Sequence, residues 1–344
     1  MQLYDENGYV NVPALIAHPA TFIFCYGGRG TGKTYGALQW AVDHDMGFMY
    51  TRRLLSQAEV AAGEDVQPFN ALNADRGWSV VPFKDNKYTW TFADSELDEK
   101  GILRRGRRHG LMSALNTFKN IRGISAEWID LYIHDEFIPE LNERPIKGEA
   151  TALFNTYESM NRNRELKGLP PIKMLCLANA NDIANPVFME LQLVRAAEKM
   201  RKEGRDYLYI PKQRMLLVDL FRSEISAQKS RTALYDLTRG TEFYNMAVKN
   251  VFTGVERGRI GHQNVKEYRP VVRAGEITIY RHKSRREYYV TVLATGNPPA
   301  YGTGAKDRER FRRKYSYLWR EYMQRAIIFE EYLDEVLFDR LFKN

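Results

Sequence analysis

The first half of the chain alternates short apolar runs with segments of helical periodicity. Apolar runs rich in β-formers occupy residues 21–26, 47–51, 129–134 and 172–178. Between them lie stretches with apolar residues every three or four positions, a pattern typical of a parallel sheet with flanking helices. Residues 78–83 and 87–92 predict a hairpin that turns at residues 84–86. We therefore expect an α/β domain over residues 1–205.

The pattern changes after about residue 205. Residues 222–250 predict mainly polar helix with a break at Arg239 and Gly240, so we expect a small helical linker over residues 206–255. Residues 265–273, 276–281 and 287–293 alternate like antiparallel strands. A loop rich in Gly and Pro at 295–304 precedes one long amphipathic helix, predicted from 306 to the end. Residues 256–344 are therefore predicted as an α+β domain.

Composition narrows the class of protein. The 344 residues are 44% hydrophobic and 27% charged, which is typical of a globular chain. The net charge of +8 favours a polyanionic partner, with nucleic acid ranked above a membrane. No apolar run approaches the roughly 20 residues that a bilayer requires, and the first residues do not resemble a secretory signal. Two cysteines, Cys25 and Cys176, exclude a disulfide framework, so we expect the reducing interior of a cell.

A phosphate-binding motif follows the first strand. Residues 27–34 match GxxxxGK[ST] between a predicted strand and a predicted helix. Backbone N–H groups of such a loop surround a phosphate, the lysine contacts β- and γ-phosphate oxygens, and the last hydroxyl binds Mg²⁺. For Arg29, contact with the γ-phosphate and exposure to solvent both stay open; an ordinary Gly-rich surface loop is the alternative for the motif. The predicted nucleotide-binding residues are Gly27, Gly28, Arg29, Gly30, Thr31, Gly32, Lys33 and Thr34.

An acidic pair ends the third strand. We expect Asp135 to bind the metal together with Thr34, and Glu136 to act as general base for the attacking water. The alternative is a solvated turn after a strand. A glutamate beside the metal-binding acid is typical of P-loop NTPases of the additional-strand (ASCE) type, which insert a strand between these two motifs. The predicted substrate and cofactor are therefore ATP and Mg²⁺.

Two further candidates lie at the ends of predicted elements. Asn179 follows the fourth strand, where it can sense the γ-phosphate or the attacking water; a turn-forming asparagine is the alternative. A helix over 151–165 ends in Asn-Arg-Asn-Arg-Glu, and Arg162 there is predicted to be an arginine finger given to a neighbouring subunit. Arg164 is the second candidate, and a solvated helix end is the alternative to both.

The order of these motifs resembles the genome-packaging (encapsidation) ATPases of small podophages, of the Picovirinae or Salasmaviridae type. The resemblance extends over roughly residues 20–250. It implies the roles given above, and it implies that Arg52 and Arg53 lie near an inter-subunit lid. Relatives tend to carry a lysine shortly after this arginine pair, whereas Leu54 and Leu55 follow here. The segments that carry the resemblance are 27–34, 50–53, 134–137, 161–165, 176–180, 185–186 and 239–243.

The resemblance also implies a function. Such proteins are ATP-hydrolysing ring motors, usually homopentamers, that move double-stranded DNA into a procapsid at its portal protein, with a packaging RNA as a further candidate partner. It implies host cytoplasm, transiently the portal vertex, as the location. It also implies an RNase H-like C-terminal domain, but residues 265–293 hold Glu267, Glu276 and Glu287 and no Asp, so we expect no nuclease activity.

Basic segments are candidates for DNA contact. Residues 100–123 carry seven Lys and Arg and no acid, and residues 266–286 and 308–314 are also basic. Each segment is alternatively a solvated face. Other functional classes that fit are a ring helicase or another DNA translocase, a filamentous-phage assembly ATPase, a nucleotide-gated assembly scaffold and a terminase-like nuclease. The predicted DNA-binding residues are Arg104, Arg105, Arg107, Arg108, Lys119 and Arg122.

Overall fold

A nine-stranded sheet organises the first half of the chain in the computed structural model. The structure describes residues 1–121, 123, 126–140, 143, 146–241, 244 and 259–343. Two units result, Met1–Thr253 and Gly254–Asn344. Within the described ranges, every helix is too short or too polar to cross a bilayer.

The strands of the first sheet lie in the order β3-β4-β5-β2-β6-β7-β1-β9-β8. The six from β5 to β9 in this order are parallel, and β3, β4 and β8 pair antiparallel. Strand β7 lies between β1, which precedes the phosphate-binding motif, and β6, which carries the acids. The predicted additional-strand P-loop fold is thereby confirmed. The strands are β1 (Phe22–Gly27), β2 (Phe48–Arg52), β3 (Val80–Lys84), β4 (Trp90–Leu97), β5 (Leu103–Ala114), β6 (Leu131–Asp135), β7 (Lys173–Asn179), β8 (Tyr207–Ile210) and β9 (Met215–Leu220).

Helices cover both faces of this sheet, which is why its central strands are apolar without alternation. On one face Ile23, Phe48 and Ile133 join a core with Leu38. On the other, Phe24 packs edge-on against other aromatic rings. The described helices are α1 (Val12–Ala17), α2 (Lys33–Asp43), α3 (Leu55–Ala61), α4 (Asn70–Arg76), α5 (Glu149–Asn161), α6 (Pro186–Glu190), α7 (Val194–Lys202), α8 (Glu224–Lys229) and α9 (Ala233–Leu237).

Two features of the first unit differ from the sequence prediction. The basic segment after residue 100 forms a long strand, β5, which pairs with β2 and β4. Strands β8 and β9 lie beyond the boundary predicted at residue 205, yet β9 pairs with β1 in the first sheet. All six residues of β9 are buried; five of them are apolar, and the sixth, Asp219, pairs with Arg201. In the predicted helical linker the structure describes α8 and α9, while residues 242, 243 and 245–258 lie outside the described residues.

The second unit has a six-stranded sheet in the order β10-β15-β13-β12-β11-β14, with β11, β12 and β13 antiparallel as predicted. The prediction of a single helix from residue 306 to the end of the chain was wrong. The chain leaves the helix after Met323, Arg325 adopts a left-handed φ of 55°, and an apolar triplet joins the sheet parallel to β13 before a second helix begins. The RNase H-like shape stays a prediction. The elements are β10 (Arg259–Ile260), β11 (Tyr268–Ala274), β12 (Ile277–His282), β13 (Tyr288–Thr291), β14 (Ala300–Tyr301), α10 (Ala305–Met323), β15 (Ile327–Phe329) and α11 (Tyr332–Phe342).

Candidate nucleotide site

The loop between β1 and α2 has the geometry of a phosphate cradle. Gly30 and Gly32 have φ of 68° and 83°, a left-handed conformation that glycine adopts without strain. The buried Lys33 ammonium donates to the Gly28 carbonyl over 2.8 Å and to the Thr31 hydroxyl over 3.1 Å. Burial lowers the pKa of Lys33 to about 8. This lysine is therefore held inside the loop, where phosphate oxygens bind in such motifs.

The acidic strand meets this loop at the carboxyl edge of the sheet. Oδ2 of Asp135 accepts hydrogen bonds from Thr34 Oγ1 at 3.0 Å and from the Tyr50 hydroxyl at 2.8 Å. Glu136 follows with a left-handed φ of 60°, unusual for a residue with a side chain. Its side chain remains 36% exposed, and partial burial raises its pKa. Two segments that lie about 100 positions apart in the sequence thus form one site.

Arg52 is a further member of this site. Its guanidinium bridges the acidic pair, with Nη1 3.0 Å from Asp135 Oδ2 and Nη2 3.0 Å from Glu136 Oε1. The structure thus places Arg52 on the acids of its own chain, and the position near an inter-subunit lid that the resemblance implies stays a prediction. The signal that was available is positional, because a cation at the carboxyl end of β2 neighbours the acids at the end of β6 when the two strands pair.

Arg53, the next residue, is directed to the interior. Its side chain is fully buried, and it donates to Glu149 over 2.5 and 3.0 Å and to Glu143 over 2.5 Å. Glu149 is itself buried and is the first residue of α5. This ion-pair network fastens the end of β2, and with it Arg52, to α5.

Asn179 and Arg29 complete the surroundings of the loop. Asn179 ends β7, pairs in register with Gly27 and lines a cavity of about 250 Å³ together with Lys33, Asp135 and Glu136. The Arg29 guanidinium instead forms an ion pair with Glu140. The Arg29 side chain is therefore half exposed and paired, and its contact with the γ-phosphate stays a prediction.

A second and larger cavity adjoins the cradle. This groove of about 790 Å³ runs from Gly30 and Gly32 along α2, between the N-terminal segment and α4. Tyr9, Tyr35 and Trp40 are among its lining side chains. An aromatic groove that opens beside a phosphate cradle is suited to a flat heterocycle and its sugar.

The predicted arginine finger lies away from this site. Arg162 follows α5, whose 13 residues span about 20 Å from Glu149. Asn161 Oδ1 accepts the Ile172 N–H at 2.9 Å just before β7 begins, so α5 ends at the amino edge of the sheet. Arg164 is engaged in its own chain, with Nη2 2.6 Å from Asp130 Oδ1. The structure therefore does not bring either arginine to the phosphate cradle of the same chain.

The predicted DNA-binding residues line β5 and the turn after it. Most of these cations have partners that the sequence does not show. Arg104 pairs with Asp98 at 2.9 Å and Arg105 with Asp85 at 2.7 Å.

The remaining cations of the segment differ in their surroundings. Arg107 pairs with Asp45, and the Arg108 guanidinium lies 3.8 Å from the centroid of the Trp128 ring. Lys119 is exposed on a short 3₁₀ helix, and Arg122 lies outside the described residues.

One of the three glutamates of the predicted C-terminal strands, Glu287, is engaged in structural contacts. Glu287 accepts from the Tyr268 hydroxyl at 2.7 Å and pairs with Arg259 at 2.8 Å. Across the described part of the chain there is no group of three or more His, Cys, Asp or Glu side chains that could hold a metal ion.

Strand order, phosphate cradle and acidic pair together define a P-loop ATPase of the additional-strand type. The family model of the podovirus DNA encapsidation protein (Gp16) matches residues 4–271, and the chain belongs to this family. The predicted resemblance, and with it the prediction of an ATPase that packages DNA, is confirmed.

Relatives agree with this assignment. The DNA packaging proteins of Bacillus phages PZA and phi29 are each 26% identical over 260 residues, which is 73% of this chain and 68% of theirs. Among solved structures, the bacteriophage Phi-29 viral genome packaging motor assembly has a TM-score of 0.63 at 18% identity over 97% of this chain and 99% of that one. The Phi-28 gp11 DNA packaging motor has a TM-score of 0.57 at 16% identity over 98% and 99%. At these identities the two structures support the fold.

Proposed function

We propose that this chain binds ATP with Mg²⁺ at residues 27–34 and hydrolyses it with Glu136 as general base. It acts as one subunit of a ring that moves double-stranded DNA into a procapsid at the portal. The observation that carries this proposal is the 3.0 Å contact between Thr34 and Asp135, with Glu136 next in the chain. This contact joins the two halves of an ATP-hydrolysing site.

The oxygen atoms at this contact fit Mg²⁺. The Thr34 hydroxyl and the Asp135 carboxylate are hard oxygen ligands, the kind that Mg²⁺ prefers beside substrate phosphates. These two side chains would hold the ion, which when bound neutralises charge on the β- and γ-phosphates. Adenine and ribose then occupy the aromatic groove along α2, which opens from the same glycines.

Glu136 is suited to accept a proton from water. Its raised pKa brings its basicity closer to neutral pH. Water attacks the γ-phosphorus, its proton passes to the Glu136 carboxylate, and the bond to the β-phosphate oxygen breaks to give ADP and phosphate. Arg52 pairs with Oε1 of the same carboxylate, and the second oxygen of the carboxylate can accept the proton from water. Lys33 balances charge on the leaving phosphates, and Asn179 faces the γ-phosphate from β7.

Arg162 acts on the neighbouring subunit. It follows a helix that ends at the opposite edge of the sheet, so it serves the site of another copy rather than its own. Leu166 and Leu169, 86% and 50% exposed, lie close to it in the chain and supply apolar surface for this contact. The resemblance favours five copies, a packaging RNA as further partner, and action in host cytoplasm at the portal vertex.

DNA binds through phosphate contacts that carry no sequence information, as movement along an arbitrary genome requires. The exposed cations of β5, together with Lys119, are the candidates in the first unit. Because this binding is electrostatic, DNA-stimulated ATPase activity should fall steeply with salt.

The Glu136→Gln variant tests the chemistry. It should bind ATP with affinity close to that of the unmodified chain, because the amide keeps the shape of the carboxylate. Turnover should fall by about a thousandfold or more, because the proton acceptor is lost. ATP binding by calorimetry and phosphate release are measured in parallel. Turnover within tenfold of the unmodified chain would refute the role of Glu136.

A mixing experiment tests Arg162. Arg162→Ala and Lys33→Ala chains should each be inactive alone. Mixed rings should recover part of the ATPase activity, because an intact Lys33 site then receives Arg162 from its neighbour. No recovery would mean that Arg162 acts within its own chain. Arg164→Ala is the matched control, since Arg164 is bound to Asp130 and should not be complemented in this way.

A further inference from the structure

A second lysine approaches the phosphate cradle from a segment that the P-loop motif does not include. Lys229, the last residue of α8, donates from Nζ to the Arg29 carbonyl oxygen over 2.8 Å. Its ammonium lies against Gly30, so that a β-carbon added there would overlap it. The left-handed φ of Gly30 favours glycine at this position, and the absent side chain leaves room for the Lys229 ammonium.

Helix α8 is anchored on the N-terminal turn of the chain. The Cα of Gly8 packs so closely on α8 that an added β-carbon would lie 3.1 Å from Glu224 Cβ. The same turn bonds to the cradle, where the Val10 N–H donates to the Thr31 carbonyl at 3.0 Å. Helix α8 and the N-terminal turn therefore both contact the cradle, and they also contact each other.

Charge is unbalanced at this point. Lys33, Arg29 and Lys229 surround one loop, and among the described residues only Arg29 of these three has a carboxylate partner, Glu140. An ammonium group has three donors, and the contact to the Arg29 carbonyl uses one of them. The nearby Lys229 charge contributes to the lowered pKa of Lys33, after the larger effect of burial. Within the part of the chain that the structure describes, Lys229 thus has a carbonyl partner but no carboxylate partner.

We propose that Lys229 is a phosphate-binding residue of the ATP site, supplied in cis from the segment between β9 and the second unit, whose ammonium contacts the β- or γ-phosphate. This inference rests on the proposed ATP-binding function. Because α8 carries Lys229, a bound phosphate would add a second contact between the cradle and α8 to the carbonyl contact already present.

The test compares nucleotides that differ in their phosphates. Lys229→Met keeps most of the side-chain length and removes the charge. In the Glu136→Gln background, calorimetry with Mg²⁺ should show ATP binding about tenfold more weakly and AMP binding changed less than twofold, because a lost charged hydrogen bond affects only the outer phosphates. ADP binding should weaken equally if the contact is to the β-phosphate and stay unchanged if it is to the γ-phosphate. Lys229→Arg should bind ATP within about threefold of the parent, and the exposed Lys202→Ala is the matched control.

The outcomes separate this inference from the proposed function. ATP affinity unchanged in Lys229→Met, or equal losses for AMP and ATP, would overturn the role of Lys229. If Lys33→Ala abolishes ATP binding while Lys229→Met does not alter it, only this inference fails. If Lys33→Ala also binds ATP normally, the proposed function fails. Should Lys229→Met fold poorly by thermal unfolding, Lys229→Arg and Lys229→Gln give the same comparison of charge retained against charge lost.

Discussion

The phosphate-binding edge and the basic strand β5 are both rich in charge, yet the two regions arrange it differently. At the edge, side chains from three separate segments converge, so that Arg52 contacts both Asp135 and Glu136. Along β5 the arginines stand side by side in the sequence but each meets an acid or a ring from a neighbouring segment. Like charges that follow one another in the sequence can therefore each have a partner in the folded chain. Charged residues at the ends of adjacent parallel strands, in contrast, come into contact with one another.

The largest expected effect is on the stability of the fold, at the buried Arg53 next to the phosphate-binding edge. Arg53→Met leaves the Glu149 carboxylate buried without its partner, which should cost about 3–5 kcal/mol in the free energy of unfolding. Arg104→Met on β5, where the pair with Asp98 is exposed, should change the free energy of unfolding far less. Chemical denaturation measures both. Arg53→Met with Glu149→Leu should recover most of the loss, and equal effects at Arg53 and Arg104 would contradict the contrast.

The next effect concerns Arg52 and the pH dependence of turnover. The Arg52 charge lowers the pKa of Glu136 while burial raises it. In Arg52→Gln the pKa should rise further, so Glu136 stays protonated to higher pH and the acid limb of kcat moves upward by about one pH unit. Arg52→Lys, which retains the charge, should shift the limb less. An acid limb that moves downward, or that does not move, would exclude this coupling.

A smaller effect should appear in nucleotide binding at alkaline pH. Burial lowers the pKa of Lys33 in the empty site to about 8, and bound phosphates favour the ammonium form. Above pH 8, binding should take up a proton, and ATP affinity should weaken about tenfold per pH unit. Calorimetry in buffers of different ionisation enthalpy measures the proton. The Lys229→Met variant should still take up this proton, because Lys33 is retained. Release of a proton on ATP binding would contradict the predicted direction of the pKa change at Lys33.

The smallest effects are expected on β5. Because Asp85 already pairs with Arg105, Arg105→Ala should weaken the affinity for DNA in the ATPase assay less than threefold. Asp85→Asn should strengthen it slightly, since a cation is released for phosphate contact. The slope of affinity against salt should change by less than about one for either variant. A more than tenfold loss of DNA affinity in Arg105→Ala would mean that DNA displaces Asp85 from Arg105. The proposed contrast between β5 and the phosphate-binding edge would then be wrong.

Much of the site was predictable because its members are marked locally. The glycines, Lys33 and Thr34 follow a strand in a spacing that only a phosphate cradle needs, and Asp135 and Glu136 end another apolar strand. No local sequence pattern indicated that Lys229 and Tyr50 lie at the cradle, because their positions there depend on packing between distant segments. The C-terminal helix was overextended because the short apolar run at 327–329 fits a helical period as well as a strand.

The sequence by itself determined the chemistry of the first unit: local backbone requirements and strand ends place the cradle and the acids at one edge of a parallel sheet. Tertiary structure alone decided which charges are neutralised. Ion pairs such as Arg53 with Glu149 or Arg107 with Asp45 join positions far apart in the chain, and pairing depends on distances of a few ångströms that no local pattern encodes.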